Sequence, residues 1–270
     1  MTAQDPQTLA PIKISYLVCR LTGYSLDATL AIIDRSKQAD TAPHAADGWW
    51  IIDDQGKPYD WMELARTRML LLTSNVDSDA VTESSDQSFV YTAANIANPA
   101  ISDNVIGYTS HGVHNGAFGV NYIWDPTQTP NFLGFTYLPG AIFETYESFN
   151  GNSFNSTDGL PPPASPPTSR AGQGLIGDFL YMGGTCGLGN VYEPWSDACG
   201  DEAKLLPLYY QGWNFGETAY MSMRYVSWVE VAVGDPLCKI SAASPFAMKG
   251  PNGIVSPADL SGYTPVPVGR

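Results

Sequence analysis

The chain has 270 residues, 27 acidic against 13 basic, for a formal net charge of −14. Charged residues make up 15% of it, against roughly 25% in an average soluble domain, whereas 44% of residues are hydrophobic and 12% aromatic. This balance excludes a disordered chain, which needs low hydrophobicity with dense charge, and a nucleic-acid groove, which needs clustered cations. No apolar run reaches the ~18 residues of a membrane-spanning helix.

In chain order, residues 12–18 (IKISYLV) read as a buried strand ending at Cys19-Arg20. A helix capped by Ser25 or Asp27 runs to Lys37, with Leu26, Leu30 and Ile33 on one face. Residues 48–53 (GWWIID) form a strand, 54–58 a turn, and 61–73 a helix by apolar spacing. A short strand is expected at 88–92 and a stronger one at 104–109 (NVIGYT), stopping at Ser110-His111-Gly112. Residues 112–139 carry turn formers every few positions and read as a long structured loop. Further strands fall at 141–146, 183–192 and 230–234, and further helices at 172–182 and 217–225. Residues 151–170, with Pro161-Pro162-Pro163 and Pro166-Pro167, form a Pro/Ser-rich surface loop.

Strands alternating with helices predict one α/β domain over residues 1–240, a mostly parallel sheet flanked by helices and carrying long Gly/Pro-rich loops, with an extended tail at 241–270. In such a sheet the chemistry gathers at the carboxyl ends of the strands. Met1-Thr2-Ala3-Gln4-Asp5-Pro6 has neither a basic nor an apolar leader region, so no signal peptide is expected in the chain itself. Even so, 15 Tyr, 7 Trp and four cysteines lean towards an exported, periplasmic or extracellular protein. Asn155-Ser156-Thr157 is the one fit among the Asn-Ser pairs to a glycosylation acceptor.

Several segments carry a resemblance. Leu17 to Ser25 (LVCRLTGYS) precedes Ala31-Ile32-Ile33-Asp34-Arg35-Ser36, and Pro139 to Ser148 (PGAIFETYES) precedes Gly172 to Asp178 (GQGLIGD). They are followed by Gly189-Asn190-Val191-Tyr192-Glu193-Pro194 and by Val233-Gly234-Asp235-Pro236-Leu237-Cys238. In this order, over about residues 12 to 240, the chain resembles an uncharacterised family of mostly exported bacterial proteins. That family in turn resembles the caspase–gingipain–legumain fold of cysteine peptidases. There a His-Gly ends one strand and a Cys ends the next, commonly as Cys-x-x-Gly. The resemblance implies His111 as acid/base, Cys186 (in Cys186-Gly187-Leu188-Gly189) as nucleophile and Gly112 as an oxyanion-site residue. The activity it implies is that of a cysteine endopeptidase, or of a degenerate scaffold descended from one. The chain departs from the pattern at Gly183-Gly184-Thr185, where the peptidases have an apolar strand.

The chemistry of a Cys–His dyad is a thiolate favoured by a nearby imidazole, with backbone N–H groups of Gly112 and Cys186 holding an oxyanion. Against it stands a disulfide: Cys186 with Cys199 across a short loop, and Cys19 with Cys238. A metal reading would gather His111, His114 and Asp125 or Glu144, but it lacks the Glu of a His-Glu-x-x-His helix, and no metal or cofactor is expected. Glu193 and Asp235 are expected to accept backbone N–H groups in turns. Glu144 and Glu147 should face opposite sides of their strand and so make no glycosidase pair. Trp49-Trp50, Tyr209-Tyr210, Trp213 and Trp228 exceed what a sheet core needs, so the alternative is a non-catalytic binding or assembly subunit with an aromatic-rich surface. The expected partner is a peptide or protein substrate or a protein partner.

Overall fold

The computed structural model describes residues 2–4, 11–13, 16–41, 47–53, 61–77, 103–112, 133–151, 173–195, 198–226, 228–240, 249–250 and 253–254. Two short antiparallel pairs, β1 (Thr2–Gln4) with β2 (Pro11–Lys13) and β9 (Lys249–Gly250) with β10 (Gly253–Ile254), stand apart from the main sheet. The main sheet has six strands: β3 (Trp49–Asp53), β4 (Val76–Asp77), β5 (Val105–Ser110), β6 (Tyr137–Thr145), β7 (Cys186–Asn190) and β8 (Glu230–Gly234). Their order is β4-β3-β5-β6-β7-β8, parallel throughout except for the antiparallel β7–β8 pair. The order reverses between β3 and β5, which puts the switch point of this α/β sheet there.

Helices cover both faces. On one, α2 (Trp61–Leu72), α4 (Glu202–Tyr210) and α5 (Phe215–Ser222) bury Met62, Met69, Leu205, Tyr209 and Phe215 against Trp50, Ile52, Ile106, Ile142 and Leu188. On the other, α1 (Leu26–Thr41) and α3 (Ile176–Tyr181) bury Ile32, Ile176 and Phe179 against Ile51, Tyr108 and Phe143. Adjacent residues such as Ile51 and Ile52 thus serve opposite faces, and a strand covered twice reads as an unbroken apolar run. Each fully buried side chain of this kind contributes about 1.5–3 kcal/mol. In the central pair the register shifts at Trp49/Trp50. The Trp50 ring lies on Gly107, where a Cβ would come within 2.3 Å of Trp50 Cε3.

Three expectations are corrected. Of the residues expected as a buried strand at 12–18, Ile12 and Lys13 belong to the separate β2 pair and Tyr16 and Val18 are exposed, and among the described residues of this stretch it is Arg20 that reaches the main sheet, as an isolated parallel bridge to Val233. The strand expected from residue 183 begins at Cys186, because Gly183 takes φ +112° and Gly184 is tucked against Phe179. Helix α4 has no counterpart in the expected elements. It is buried almost all round and holds Pro207 in its interior, so it shows neither a one-sided apolar stripe nor a clean run of helix formers. The strand expected at 88–92, the turn at 54–58, most of the loop at 112–139, the Pro/Ser loop at 151–170 and most of the tail lie outside the described residues.

Candidate functional site

Three strands end side by side at the carboxyl edge, and their last residues are polar and buried. Asp53 closes β3 with no exposure, and its Oδ2 accepts from Ser110 Oγ at 2.7 Å. Its backbone carbonyl accepts from His111 N at 3.2 Å. Gly112 N in turn donates to Ser110 Oγ at 2.9 Å. Gly112 has φ +77°, and a Cβ there would lie 2.3 Å from Glu147 Cγ, so both backbone and space demand glycine.

Glu147, just past β6, is 1% exposed. Its carboxylate accepts from Gly174 N at 3.0 and 2.9 Å and from Thr145 Oγ1 at 2.7 Å. Asn150 Nδ2 donates to Thr145 O and Oγ1 at 3.1 and 2.8 Å, and Asn150 Oδ1 accepts from Asn190 N at 2.6 Å. Asn190 Nδ2 closes the circuit on Glu147 O at 3.1 Å. Residues from β6, β7 and the segment before α3 are thereby bonded into one network. Sequence reasoning saw Glu147 only as one of a pair and missed Asp53, Asn150 and Asn190. The usable signal was the polar residue ending each apolar strand run.

His111 is half-buried at this edge, its ring centroid 6.1 Å from that of Tyr146. Cys186 is elsewhere. The register sets Gly107 beside Ile142 and Ile142 beside Cys186, so Cys186 lies four residues short of His111 along the strands and two strands across. At about 3.3 Å per residue and 4.8 Å per strand, that is a separation of roughly 16 Å. The Cys186 thiol is fully buried among Ala141 O at 3.9 Å, Tyr209 Oη at 3.7 Å and the Cys238 thiol. Burial first, and then Cys238, push its pKa well up, away from the thiolate. Gly112 N is already committed to Ser110 Oγ. The structure therefore does not bring His111, Cys186 and Gly112 together around one reacting centre.

The cysteines are all free thiols, so the expected disulfides are corrected as well. Cys199 lies 3.9 Å from Asn190 Nδ2, at the far end of β7 from Cys186, so the Cys186–Cys199 pairing is out of reach. Cys186 is instead a neighbour of Cys238, and Tyr209 Oη, which donates to Gly140 O at 2.8 Å, lies 3.2 Å from Cys238 Sγ. Glu144 and Glu147 face opposite ways: Glu144 towards the start of α4, Glu147 towards Gly112 and Gly174. Among the described residues no group of three His, Cys, Asp or Glu could hold a metal ion. His114 and Asp125 lie outside those residues. Asp235 Oδ1 accepts from Leu237 N at 3.0 Å, a turn contact, and Glu193 Oε2 accepts from Ser148 Oγ at 2.5 Å.

Of the aromatics singled out in the sequence, Trp50 and Tyr209 are core, Trp49, Tyr210 and Trp213 are half-buried, and Trp228 is exposed. Tyr192 and Trp195, 67% and 70% exposed, follow β7 at the same carboxyl edge. Val191 N bonds Val229 O, which sets this segment beside Trp228. Trp195 holds φ +60°, an uncommon conformation for a bulky side chain. Its carbonyl accepts from Ala198 N at 3.0 Å. No protein-family model, curated protein or solved structure matches the chain.

Proposed function

We propose that the chain is a non-catalytic binding or assembly protein on an α/β frame of the caspase–gingipain–legumain kind, one that lacks the working dyad. The single observation behind this reading is the register at the carboxyl edge. In the peptidase pattern a thiol ends the strand after the one bearing His-Gly. Here β6 follows β5, and the residue level with His111 is Tyr146. The one cysteine that matched the pattern starts β7 and is sealed under Tyr209. The buried carboxylates and amides of the edge are tied to one another, which suits them to hold loops rather than to attack a carbonyl. The partner in this reading is a protein or peptide. It meets the molecule at the carboxyl edge, where Tyr192, Trp195 and Trp228 supply rigid amphipathic contact area. Export remains part of the proposal, on the 15 Tyr and 7 Trp alone, since the four cysteines are free thiols.

The test is alkylation of the native protein with iodoacetamide at pH 8, digestion and mass spectrometry of each cysteine, alongside a panel of peptide substrates. Cys19, half-buried with its pKa pushed up to about 11 by burial and then by Asp235, should be labelled slowly but ahead of Cys186. No peptide should be cleaved. Fastest labelling at Cys186, slowed by His111→Ala and accompanied by lost turnover, would overturn the reading in favour of the endopeptidase.

A further inference from the structure

On the α4 side of the sheet a second buried polar group lies apart from the strand-end network. Glu144 of β6 is 2% exposed, and Asp201 and Glu202 at the start of α4 are 2% and 0% exposed. Half-buried Glu230, the first residue of β8, reaches the same spot. Gly200 runs beneath them: a Cβ there would lie 1.9 Å from Glu144 Oε1 and 2.7 Å from Glu230 Oε1. Both carboxyl groups therefore close over a backbone that has no side chain to hold them apart. Glu144 Oε2, Glu230 Oε1 and Asp201 Oδ1 are buried without a hydrogen-bond partner among the described residues.

The surroundings are short of positive charge. Lys204 Nζ is held by Asp201 Oδ2 at 2.9 Å, and Arg224 acts on Glu230. Among the described residues, Asp201 and Glu202 face the pair from the start of α4, and the Cys199 thiol lies beside it, with Glu193 also near that thiol. An ionised carboxylate only accepts hydrogen bonds. Two of them in contact, screened from water, repel until something positive comes between them. No three of these groups are arranged to hold a metal ion.

We propose that Glu144 and Glu230 form a buried proton-binding site, in which one shared proton ties the ends of β6 and β8 together over the Gly200 turn. With the proton, one carboxyl donates to the other and the contact becomes a hydrogen bond. Without it, two anions face each other beside Asp201 and Glu202. Burial is the first cause that pushes Glu144 well above the usual carboxylate range, and Glu202, Glu230 and Asp201 add to it. Burial likewise pushes Glu230 up to about 7, against the lowering effects of Glu144, the Gly200 N–H and Arg224. An unfolded Glu titrates near 4.3, so the folded protein binds the extra proton. Glu230 gives up its proton near 7 and the one then left shared is held by Glu144 to higher pH, so the pair's contribution to stability is complete below about pH 4, falls as pH rises to 7 and goes on falling, less steeply, above it.

The experiment is thermal unfolding of the full chain from pH 5 to 8, with the infrared carbonyl band of protonated carboxylic acids followed in parallel. The wild-type midpoint should fall with rising pH by on the order of 3 °C per pH unit while one proton is being lost. The acid band should persist at pH 6.5. Glu144→Gln, whose amide donates as the protonated acid would, should flatten the fall and remove its share of the band, and Glu230→Gln should do the same if the first variant does not fold. Asp178→Asn serves as the control, because Asp178 is also buried and raised to about 7; it should leave the Glu144-dependent share intact. An unchanged pH profile and band in both glutamine variants would overturn the proposal. So would a midpoint at pH 8 that millimolar Ca²⁺ or Mn²⁺ raises in the wild type but not in Glu144→Gln, since the occupant would then be a cation.

Discussion

Gly112→Ala tests whether the carboxyl edge is the built unit described above. Alanine at φ +77° costs about 1–2 kcal/mol in backbone strain. Its Cβ would also fall 2.3 Å from Glu147 Cγ and 2.6 Å from Cδ, so the carboxylate must move off Gly174 N and Thr145 Oγ1. Each hydrogen bond to a buried charged group is worth roughly 1.5–3 kcal/mol, and with two of them lost the effects together come to at least about 4 kcal/mol. Against a stability of about 5–15 kcal/mol that is a large share, and it should lower the unfolding midpoint by about 10 °C. Urea unfolding followed by tryptophan fluorescence reads it directly, since Trp50 is buried in the core. Glu147→Ala removes the obstacle, so in a double-mutant cycle Gly112→Ala should cost only the strain, with a coupling of at least about 1 kcal/mol. A loss below about 1 kcal/mol for Gly112→Ala alone would refute the reasoning, because Glu147 could then leave its donors freely.

Two further outcomes follow from the geometry. Gly107→Ala would drive a methyl group into the Trp50 ring, 2.3 Å from Cε3, and should cost about 1–3 kcal/mol as overpacking, read as a lower urea midpoint with a shifted tryptophan emission. Asp178, raised by burial to about 7 although Tyr24 Oη donates to its Oδ1 at 2.7 Å, adds stability below about pH 4 that is lost as pH rises to 7. Asp178→Asn should remove that slope, roughly 4 kcal/mol over the interval, and Tyr24→Phe, by taking away the donor, should move the loss to higher pH.

The parts of the fold legible in the sequence were those whose signal is local. The runs WWIID and VIGYTS are continuous because both faces of their strands are covered, and residues 61–73 repeat their apolar positions at helical spacing. The site was less legible because its identity depends on register, which no single segment carries. Cys186-Gly187-Leu188-Gly189 matched a motif, but the motif requires the cysteine at the end of a strand. Only Gly183 at φ +112° and the packing of Gly184 on Phe179 make Cys186 the beginning of one instead. A shift of a few residues along a strand moves a side chain from one edge of the sheet towards the other. Glu147 and Asn150 were overlooked for a related reason: their donors come from Gly174, Thr145 and Asn190, three places in the chain that only the fold brings together.

The two ends of the sheet differ in chemistry, and that difference weighs on function beyond any single residue. Towards the amino end, Cys186 and Cys238 sit under Tyr209, and Cys19 is near enough to raise Cys186. Burial holds Cys186 and Cys19 as thiols. Cys238 alone is lowered, and its first cause is the Cys186 S–H bond rather than an imidazole or a cation. Near the carboxyl end, where an α/β sheet presents its loops, the one described cysteine is Cys199. Burial and then Glu230, Glu202, Glu144 and Glu193 all raise it. A nucleophilic thiol needs an electropositive, partly open setting, and among the described residues neither end offers one. What the carboxyl end does offer is a set of strand termini fixed by buried acids and amides, and from that fixed base Tyr192, Trp195 and Trp228 project outward. Rigidity behind exposed aromatic rings lowers the entropy cost of ordering an interface, which is the property the proposed binding role draws on.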